Sequence, residues 1–163
     1  MNVCIIHDSQ KGNGKRLAEK LASELESRGA QVAVGHRTEL TPEHVGAQPP
    51  ELLVVGAAVR KFMTSPPVKK WIARLAGELK RHDAKIPHAA VFLTHAMPDK
   101  AVEGRVTRLQ RSLSQAEGIG EVYPEWLSGQ VKAIPGPFVD GTLDKAVTFA
   151  ESLFDWTQPK SRG

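Results

Sequence analysis

The chain has 163 residues, of which 40% are hydrophobic and 25% are charged, and its formal net charge is +4. This length and composition are typical of one soluble globular domain with a full core. The longest apolar run, residues 52–59, is too short to span a bilayer, and no arginine-rich tail or basic–aromatic alternation points to nucleic acid.

The single cysteine and the amino-terminal sequence bear on the compartment. Cys4 cannot form an internal disulfide and lies in an apolar segment, which predicts a buried, inert thiol. The amino terminus lacks the charged, apolar and small-residue pattern of a signal peptide. We therefore expect a cytoplasmic protein.

The first 25 residues lead from an apolar segment through a polar glycine loop into an amphipathic helix. Residues 3–6 have the length and branching of a buried strand, and leucines then recur at helical spacing (Leu17, Leu21 and Leu25). Gly12 and Gly14 let the backbone approach a ligand closely, and the first N–H groups of the helix would point toward it. This arrangement predicts an anion-binding site.

Strands and helices alternate along the rest of the chain. Strands are predicted at residues 31–35, 51–58 and 86–94, and helices at about 66–81 and 100–115. Thr41 and Pro42 indicate the start of a short helix, and Ser65 before two prolines indicates the cap of a longer one.

The last third of the chain has weaker patterns. Residues 123–133 form an extended segment that Pro124 and Gly129 interrupt, which favours the edge of a sheet. Asp140 or Thr142 is expected to cap a final helix through Trp156. The inner face of that helix is predicted to carry Leu143, Ala146, Val147, Ala150 and Phe154. Residues 1–156 thus form one domain, and residues 157–163 form a flexible tail.

Five strands alternating with helices imply a parallel sheet covered on both faces. Ligands of such sheets bind outside the carboxyl ends of the strands, where the strand order reverses. Three loops are expected to meet there, at residues 8–14, 59–65 and 94–99.

The chain resembles the flavodoxin-like family over nearly its whole length, and three segments carry the resemblance. Residues 9–14 (SQKGNG) are similar to the loop that wraps the 5′-phosphate of FMN, and residues 54–58 with 65–71 are similar to the third strand, the first isoalloxazine loop and its helix. Residues 90–95 (AVFLTH) are similar to the strand that leads into the second isoalloxazine loop.

The resemblance implies an α/β fold, a flavodoxin-like three-layer α/β/α sandwich with a five-stranded parallel sheet, and FMN as the cofactor. It implies cofactor contacts from three groups of residues: Ser9, Gln10, Lys11, Gly12, Asn13 and Gly14; Ala57, Ala58, Val59, Arg60, Lys61 and Phe62; Thr94, His95, Ala96 and Met97.

The chain departs from the family pattern at several of these positions. Lys11 and Gly14 replace threonines that would donate to the phosphate, so Lys11 and Lys15 either compensate as cations or are solvated. Phe62 is the candidate for stacking on the flavin, and Met97 can contact the edge of a ring. Alternatively, these two side chains fill the mouth of the sheet.

Other motifs fail on spacing. Ser9 and Arg16 break a Walker A loop, and Leu17 stands where a dinucleotide fingerprint needs glycine. The six histidines lack the spacing of a metal site. Ser9 and His95 could meet at one rim but lack an orienting carboxylate, so no catalytic residues are assigned and hydrolysis is not expected.

The sequence therefore predicts an FMN-binding electron-transfer protein. Two alternatives remain: an FMN-dependent NAD(P)H:acceptor oxidoreductase acting on a quinone-like or tetrapyrrole substrate, and a cofactor-free interaction domain. Basic residues in or beside the ligand loops predict a redox partner with an acidic surface (Lys11, Lys15, Arg16, Arg60 and Lys61). Neither nucleic acid nor a membrane is expected as a partner.

Overall fold

The computed structural model describes residues 1–10, 12–60, 63–64, 66–133 and 136–159. Its elements in chain order are β1 (Asn2–His7), α1 (Asn13–Ser27), β2 (Gln31–His36), α2 (Pro42–Ala47), β3 (Leu52–Arg60), β4 (Met63–Thr64), α3 (Pro66–Arg81), β5 (Ile86–His95), α4 (Asp99–Ser114), β6 (Ile119–Gln130) and α5 (Thr142–Thr157).

Five parallel strands form the sheet in the order β2-β1-β3-β5-β6. This order confirms the predicted five-stranded parallel sheet and puts the reversal of strand order between β1 and β3. The two-residue strand β4 pairs antiparallel with the end of β3, where Val59 lies opposite Thr64. A strand of two residues has no periodicity, so the sequence could not predict it.

Helices cover both faces of the sheet and complete the three layers. α1 and α5 pack on one face and form the α1/α5 layer, and α2, α3 and α4 pack on the other. Successive strand residues point to opposite faces. Ile5 therefore joins the core under α1, whereas Ile6 joins the core under α3, and both side chains are fully buried.

The last sheet strand confirms the edge position but not the predicted bounds. β6 begins at Ile119, four residues earlier than expected, and its register against β5 shifts between Ala89 and Val91. Pro124 lies in the part of β6 opposite this shift. Because proline cannot donate to the ladder, the irregularity accommodates it.

The predicted caps of α5 are wrong, and its predicted inner face is confirmed only in part, at Ala146 and Ala150. Gly141, with φ of 84°, occupies the cap position without a side-chain cap, and the Thr142 hydroxyl donates to the Val139 carbonyl at 2.8 Å. The buried face of the helix is rotated relative to the predicted one. Leu143 is 41% exposed, while Phe149 and Leu153 are buried.

The burial of Cys4 and the cap of α2 agree with the sequence-based predictions. Cys4 is buried in β1, as expected, and burial raises the pKa of its thiol to about 12. The Thr41 hydroxyl accepts from the His44 N–H at 3.2 Å and caps α2, whereas the predicted cap at Ser65 lies outside the described residues. Among the helices that the structure describes, none combines the length and apolar character needed to cross a membrane.

Candidate functional site

The loop between β1 and α1, residues 9–14, is held by its own hydrogen bonds. The Gly12 N–H donates to Ser9 Oγ at 2.9 Å, and the Ser9 N–H donates to His7 Nδ1 at 3.2 Å. Gly12 has φ of 91°, a conformation that glycine adopts without steric cost. A Cβ at Gly14 would lie 3.2 Å from Ser9 Cβ, so glycine also allows the start of α1 to approach the loop closely.

The start of α1 is electrostatically suited to an anion. The first N–H groups of a helix have no carbonyl partner within the helix, and the helix dipole makes this end positive. The first turn contains no carboxylate, and Lys15 and Arg16 are exposed there. Residues 9–14 with this first turn, here called the phosphate loop, therefore combine backbone donors with positive charge. Lys11 lies outside the described residues.

A later segment of the chain packs against the phosphate loop. The Arg16 guanidinium lies 5.7 Å from the centre of the Phe138 ring, and a Cβ at Gly136 would lie 3.3 Å from Asn13 Oδ1. Sequence reasoning missed this contact because the segment before α5 has no pattern that links it to β1. The segment supports the outer side of the phosphate loop.

A buried carboxylate joins the phosphate loop to the end of β3. Asp8 is only 4% exposed, and its Oδ1 accepts from the Ala58 N–H at 3.2 Å. It thus holds two of the three predicted ligand loops together at the point where the strand order reverses. Its position directly after an apolar strand is a signal from which this role could have been predicted.

The end of β3 turns back on itself. Ala57, Ala58 and Val59 continue the strand, and the backbone of Arg60 pairs with Met63 in the β3–β4 hairpin. Ala58 also lies beside Thr94 of β5, so the predicted loops after β3 and β5 are neighbours. Lys61 and Phe62, including the proposed stacking aromatic, lie outside the described residues.

His95 at the end of β5 is turned into the protein. Its side chain is fully buried, its Nδ1 donates to the Met97 carbonyl at 2.6 Å, and its Nε2 lies 3.1 Å from Ser128 Oγ. The Ser128 hydroxyl donates to Asp99, whose Oδ1 is 3.5 Å from His95 Nε2. These contacts tie the loop of residues 94–99 to β6.

The pKa of His95 reflects this burial. Desolvation lowers the pKa of the imidazole below its usual value, and the Met97 carbonyl and the Asp99 carboxylate oppose the shift. The loop beyond His95 is more open, with Ala96 exposed and Met97 partly buried. Ala96 and Met97 are therefore accessible to a ligand, whereas the contacts of His95 are with the protein.

The cluster of Ser128, His95 and Asp99 does not have the geometry of a hydrolase. In a catalytic triad the carboxylate holds one ring nitrogen while the other nitrogen faces the serine. Here Asp99 lies on the same side of the ring as Ser128, and a backbone carbonyl holds Nδ1. The cluster positions a loop. Sequence reasoning missed Ser128 and Asp99 because β6 brings Ser128 from 33 residues away.

A groove of about 570 Å³ lies on the β2 side of the phosphate loop. His7 and His36 line it at the ends of β1 and β2, with ring centres 5.5 Å apart in an edge-to-face arrangement. Burial and the neighbouring His36 lower the pKa of His7. Lys15 and Glu39 also line the groove, so its charge is mixed.

The loops that follow β1, β3 and β5 begin at the same edge of the parallel sheet, as expected from the alternation of strands and helices. Within the ranges that the structure describes, no group of three or more His, Cys, Asp or Glu side chains is arranged to hold a metal ion. The described site therefore offers mainly backbone groups, with the exposed cations Lys15 and Arg16 on its phosphate-loop side.

Comparison with known proteins gives the same fold. A family model for the flavodoxin domain matches residues 4–128. The chain is similar to the structure of oxidised flavodoxin 1 from Bacillus cereus, with a TM-score of 0.72, 16% identity, and coverage of 95% of this chain and 98% of that one. It is similar to a flavodoxin from the domain Archaea, with a TM-score of 0.72, 14% identity, and coverage of 96% and 99%.

The Streptococcus pneumoniae TIGR4 flavodoxin gives a TM-score of 0.72 at 16% identity, with coverage of 96% of this chain and 99% of that one. No curated protein matches the chain. At such identities the solved structures show the fold alone. The family model, however, matches more than half of the sequence and includes the phosphate loop and both strands that lead into the other ligand loops. The chain therefore belongs to the flavodoxin domain family.

Proposed function

We propose that this protein binds FMN and acts in electron transfer. The observation that carries the proposal is the convergence of three loops at the reversal of strand order, one of which wraps the positive end of α1. Membership of the flavodoxin domain family supports the same function.

The described residues fit FMN. The left-handed Gly12 and the close approach at Gly14 form a narrow backbone cradle, and the adjacent helix terminus and Lys15 match a phosphate dianion. Ser9 Oγ accepts from Gly12, and its hydroxyl hydrogen can still donate to a phosphate oxygen. When bound, the isoalloxazine ring supplies the redox chemistry.

The protein residues position and shield the cofactor in this proposal. The flavin ring is flanked on one side by the end of β3 (Ala57, Ala58 and Val59). On the other side it is flanked by the end of β5 and the loop after it (Thr94, Ala96 and Met97). Asp8 fixes the distance between the first two loops through Ala58, and His95 fixes the third loop through Ser128. The phosphate side also includes Gln10 and Asn13. The family resemblance implies further cofactor contacts, and the proposal retains them for Lys11, Arg60, Lys61 and Phe62.

The redox partner and the cellular location are also part of the proposal. The exposed cations Lys15 and Arg16 favour a redox partner with an acidic surface. A cytoplasmic location is favoured by the single buried cysteine, which has no partner for a disulfide.

Titration of the FMN-free protein with FMN and FAD tests the proposal, with calorimetry and flavin fluorescence as readouts. Because the cradle closes on one terminal phosphate, we expect much tighter binding of FMN than of FAD. Equal affinity for the two flavins would contradict this geometry. Binding of neither would leave a cofactor-free interaction domain as the function, and steady NAD(P)H consumption by the FMN-loaded protein would favour the oxidoreductase.

Gly12→Ala and Gly29→Ala form a matched pair for this titration. Both glycines have positive φ (91° and 96°), an added Cβ on either would meet none of the described atoms within 4 Å, and they lie at opposite ends of α1. Each alanine is strained by about 1–2 kcal/mol. Only Gly12→Ala strains the phosphate cradle, so we expect it alone to weaken FMN binding, by about 5- to 30-fold. Equal affinities of the two variants would refute the assigned position of the phosphate.

A further inference from the structure

The two helical layers differ strongly in charge. α1 and α5 together contain four basic and six acidic residues. α3 and α4 together contain nine basic and three acidic residues, and the neighbouring α2 adds only Glu43. The protein is therefore electrically polarised across its sheet, which the overall charge of +4 does not reveal.

Ion pairs neutralise only part of the positive layer. Arg74 pairs with Glu43, Arg81 lies 3.9 Å from Glu78, and Lys80 lies 4.0 Å from Glu117. Five further cations are exposed and have no salt bridge with any residue in the described part of the chain: Lys69, Lys70, Lys100, Arg108 and Arg111. We call these five residues the basic face.

The basic face begins beside the proposed cofactor site. Lys69 and Lys70 lie in the first turns of α3, directly after the β3–β4 hairpin, and Lys100 lies in the first turn of α4, directly after the loop of residues 94–99. Arg108 and Arg111 continue along the outer side of α4, because Val102, Val106 and Leu109 occupy its inner side. At 1.5 Å per residue, the face extends about 16 Å from Lys100 to Arg111.

The composition of this surface favours an acidic protein over a lipid bilayer. Peripheral membrane helices insert large apolar side chains beside their cations. Among the residues whose burial the structure describes, the exposed large hydrophobic side chains are Val34 on β2 and Leu143 on α5, and neither lies on α3 or α4. Charge without apolar anchors is suited to reversible, electrostatically steered association.

We propose that the basic face docks an acidic protein surface, and that the acidic protein is the redox partner of the electron-transfer function proposed above. A partner seated there lies next to the loops after β3 and β5. Charge attraction between the two surfaces increases the rate of encounter and orients the partner toward the cofactor edge.

The test uses a plant-type [2Fe–2S] ferredoxin as an acidic probe. Arg108→Glu combined with Arg111→Glu changes the basic face, and Lys20→Glu combined with Lys145→Glu makes the same charge change on the α1/α5 layer. NMR titration of the ¹⁵N-labelled full chain maps the contact at 10 mM salt, and stopped-flow mixing of reduced ferredoxin with the FMN-loaded protein measures the association rate.

We expect the NMR signals of α3 and α4 to change. At 10 mM salt the Debye length is about 30 Å, so steering is strong, and the basic-face variant should associate at least about 5-fold more slowly while the control changes by less than about 2-fold. At 150 mM salt the difference should shrink. Signal changes confined to α1 and α5, equal effects of the two variants, or no binding at about 1 mM protein would overturn the proposal.

Two further measurements separate the remaining outcomes. If phosphatidylserine vesicles or duplex DNA displace the ferredoxin from the basic face and bind more tightly than it does, the partner class proposed here is wrong. If the protein binds ferredoxin through the basic face but takes up no FMN, the docking surface stands and the electron-transfer function fails. If it takes up FMN and exchanges electrons at a rate that neither variant changes, the docking surface fails.

Discussion

Gly56→Ala is expected to destabilise the centre of the sheet. Gly56 lies on β3 opposite Phe92 of β5, and an added Cβ would lie 1.9 Å from Phe92 Cζ and within 2.5 Å of both Cε atoms. Carbon atoms pack at about 3.5–4.0 Å, so the ring would have to withdraw by about 1.6 Å or more. Phe92 is fully buried, so its ring can move only by displacing the residues around it.

Overpacking of this kind costs about 1–3 kcal/mol, and the size of the overlap puts Gly56→Ala at the upper end, about 3 kcal/mol. Urea unfolding followed by circular dichroism measures the loss of the free energy of unfolding. Gly77→Ala is the control, because its Cβ lies on the exposed side of α3 and would meet none of the described atoms within 4 Å. It should stabilise the protein by up to about 1 kcal/mol through helix propensity.

A double mutant isolates the contact. Phe92→Leu alone removes buried volume and is destabilising, but combined with Gly56→Ala it makes room for the new methyl group. We expect the two changes to be non-additive by about 1–3 kcal/mol. Wild-type stability of Gly56→Ala, or strict additivity in the double mutant, would refute the packing argument. Because β3 and β5 continue into two of the ligand loops, Gly56→Ala should also weaken FMN binding.

Three further predictions concern titratable groups. Asp99→Asn should lower the pKa of His95 further, because the lost carboxylate favours the imidazolium; NMR titration of the ring measures it, and an unchanged or raised pKa would contradict the assigned contact. Burial lowers the pKa values of His7 and His95 in the folded protein. Below the ordinary histidine pKa of about 6.5 the unfolded chain therefore binds more protons than the folded protein. The free energy of unfolding should consequently fall as the pH drops below that value. Urea midpoints between pH 7.5 and 5.5 measure this loss; His95→Gln should reduce it, and an equal loss in that variant would count against the role of His95. Cys4 should react with a thiol reagent only after unfolding, since its pKa of about 12 leaves almost no thiolate at neutral pH, and rapid native labelling would contradict its burial.

Local patterns predicted the part of the fold that local physics determines. The apolar run of β3 and the leucine spacing of α1 indicate buried elements directly, and their alternation with other elements implies the parallel sheet. The rotation of α5 was not predictable in the same way. Its register depends on the left-handed Gly141 before it, and Leu143 is apolar enough to suggest an inner face that it does not occupy.

The candidate site shows the same division. The phosphate loop was recognisable because all its residues are contiguous and lie between a strand and a helix. The contacts of His95 were not recognisable. Ser128 lies on β6 and His95 on β5, and only the register between these two strands brings them together. Asp8 holds Ala58 from 50 residues away, and only the pairing of β1 with β3 brings the two together.

The edge strand β6 has a consequence for how the protein behaves at high concentration. A long outer strand presents unpaired backbone groups to which a strand of another molecule can add, the first step of β-aggregation. Within the twelve residues of β6, the register shift opposite Pro124 interrupts the regular ladder. A strand of a second molecule therefore cannot pair regularly along the whole of β6. The strand completes the sheet without presenting a continuous edge for polymerisation.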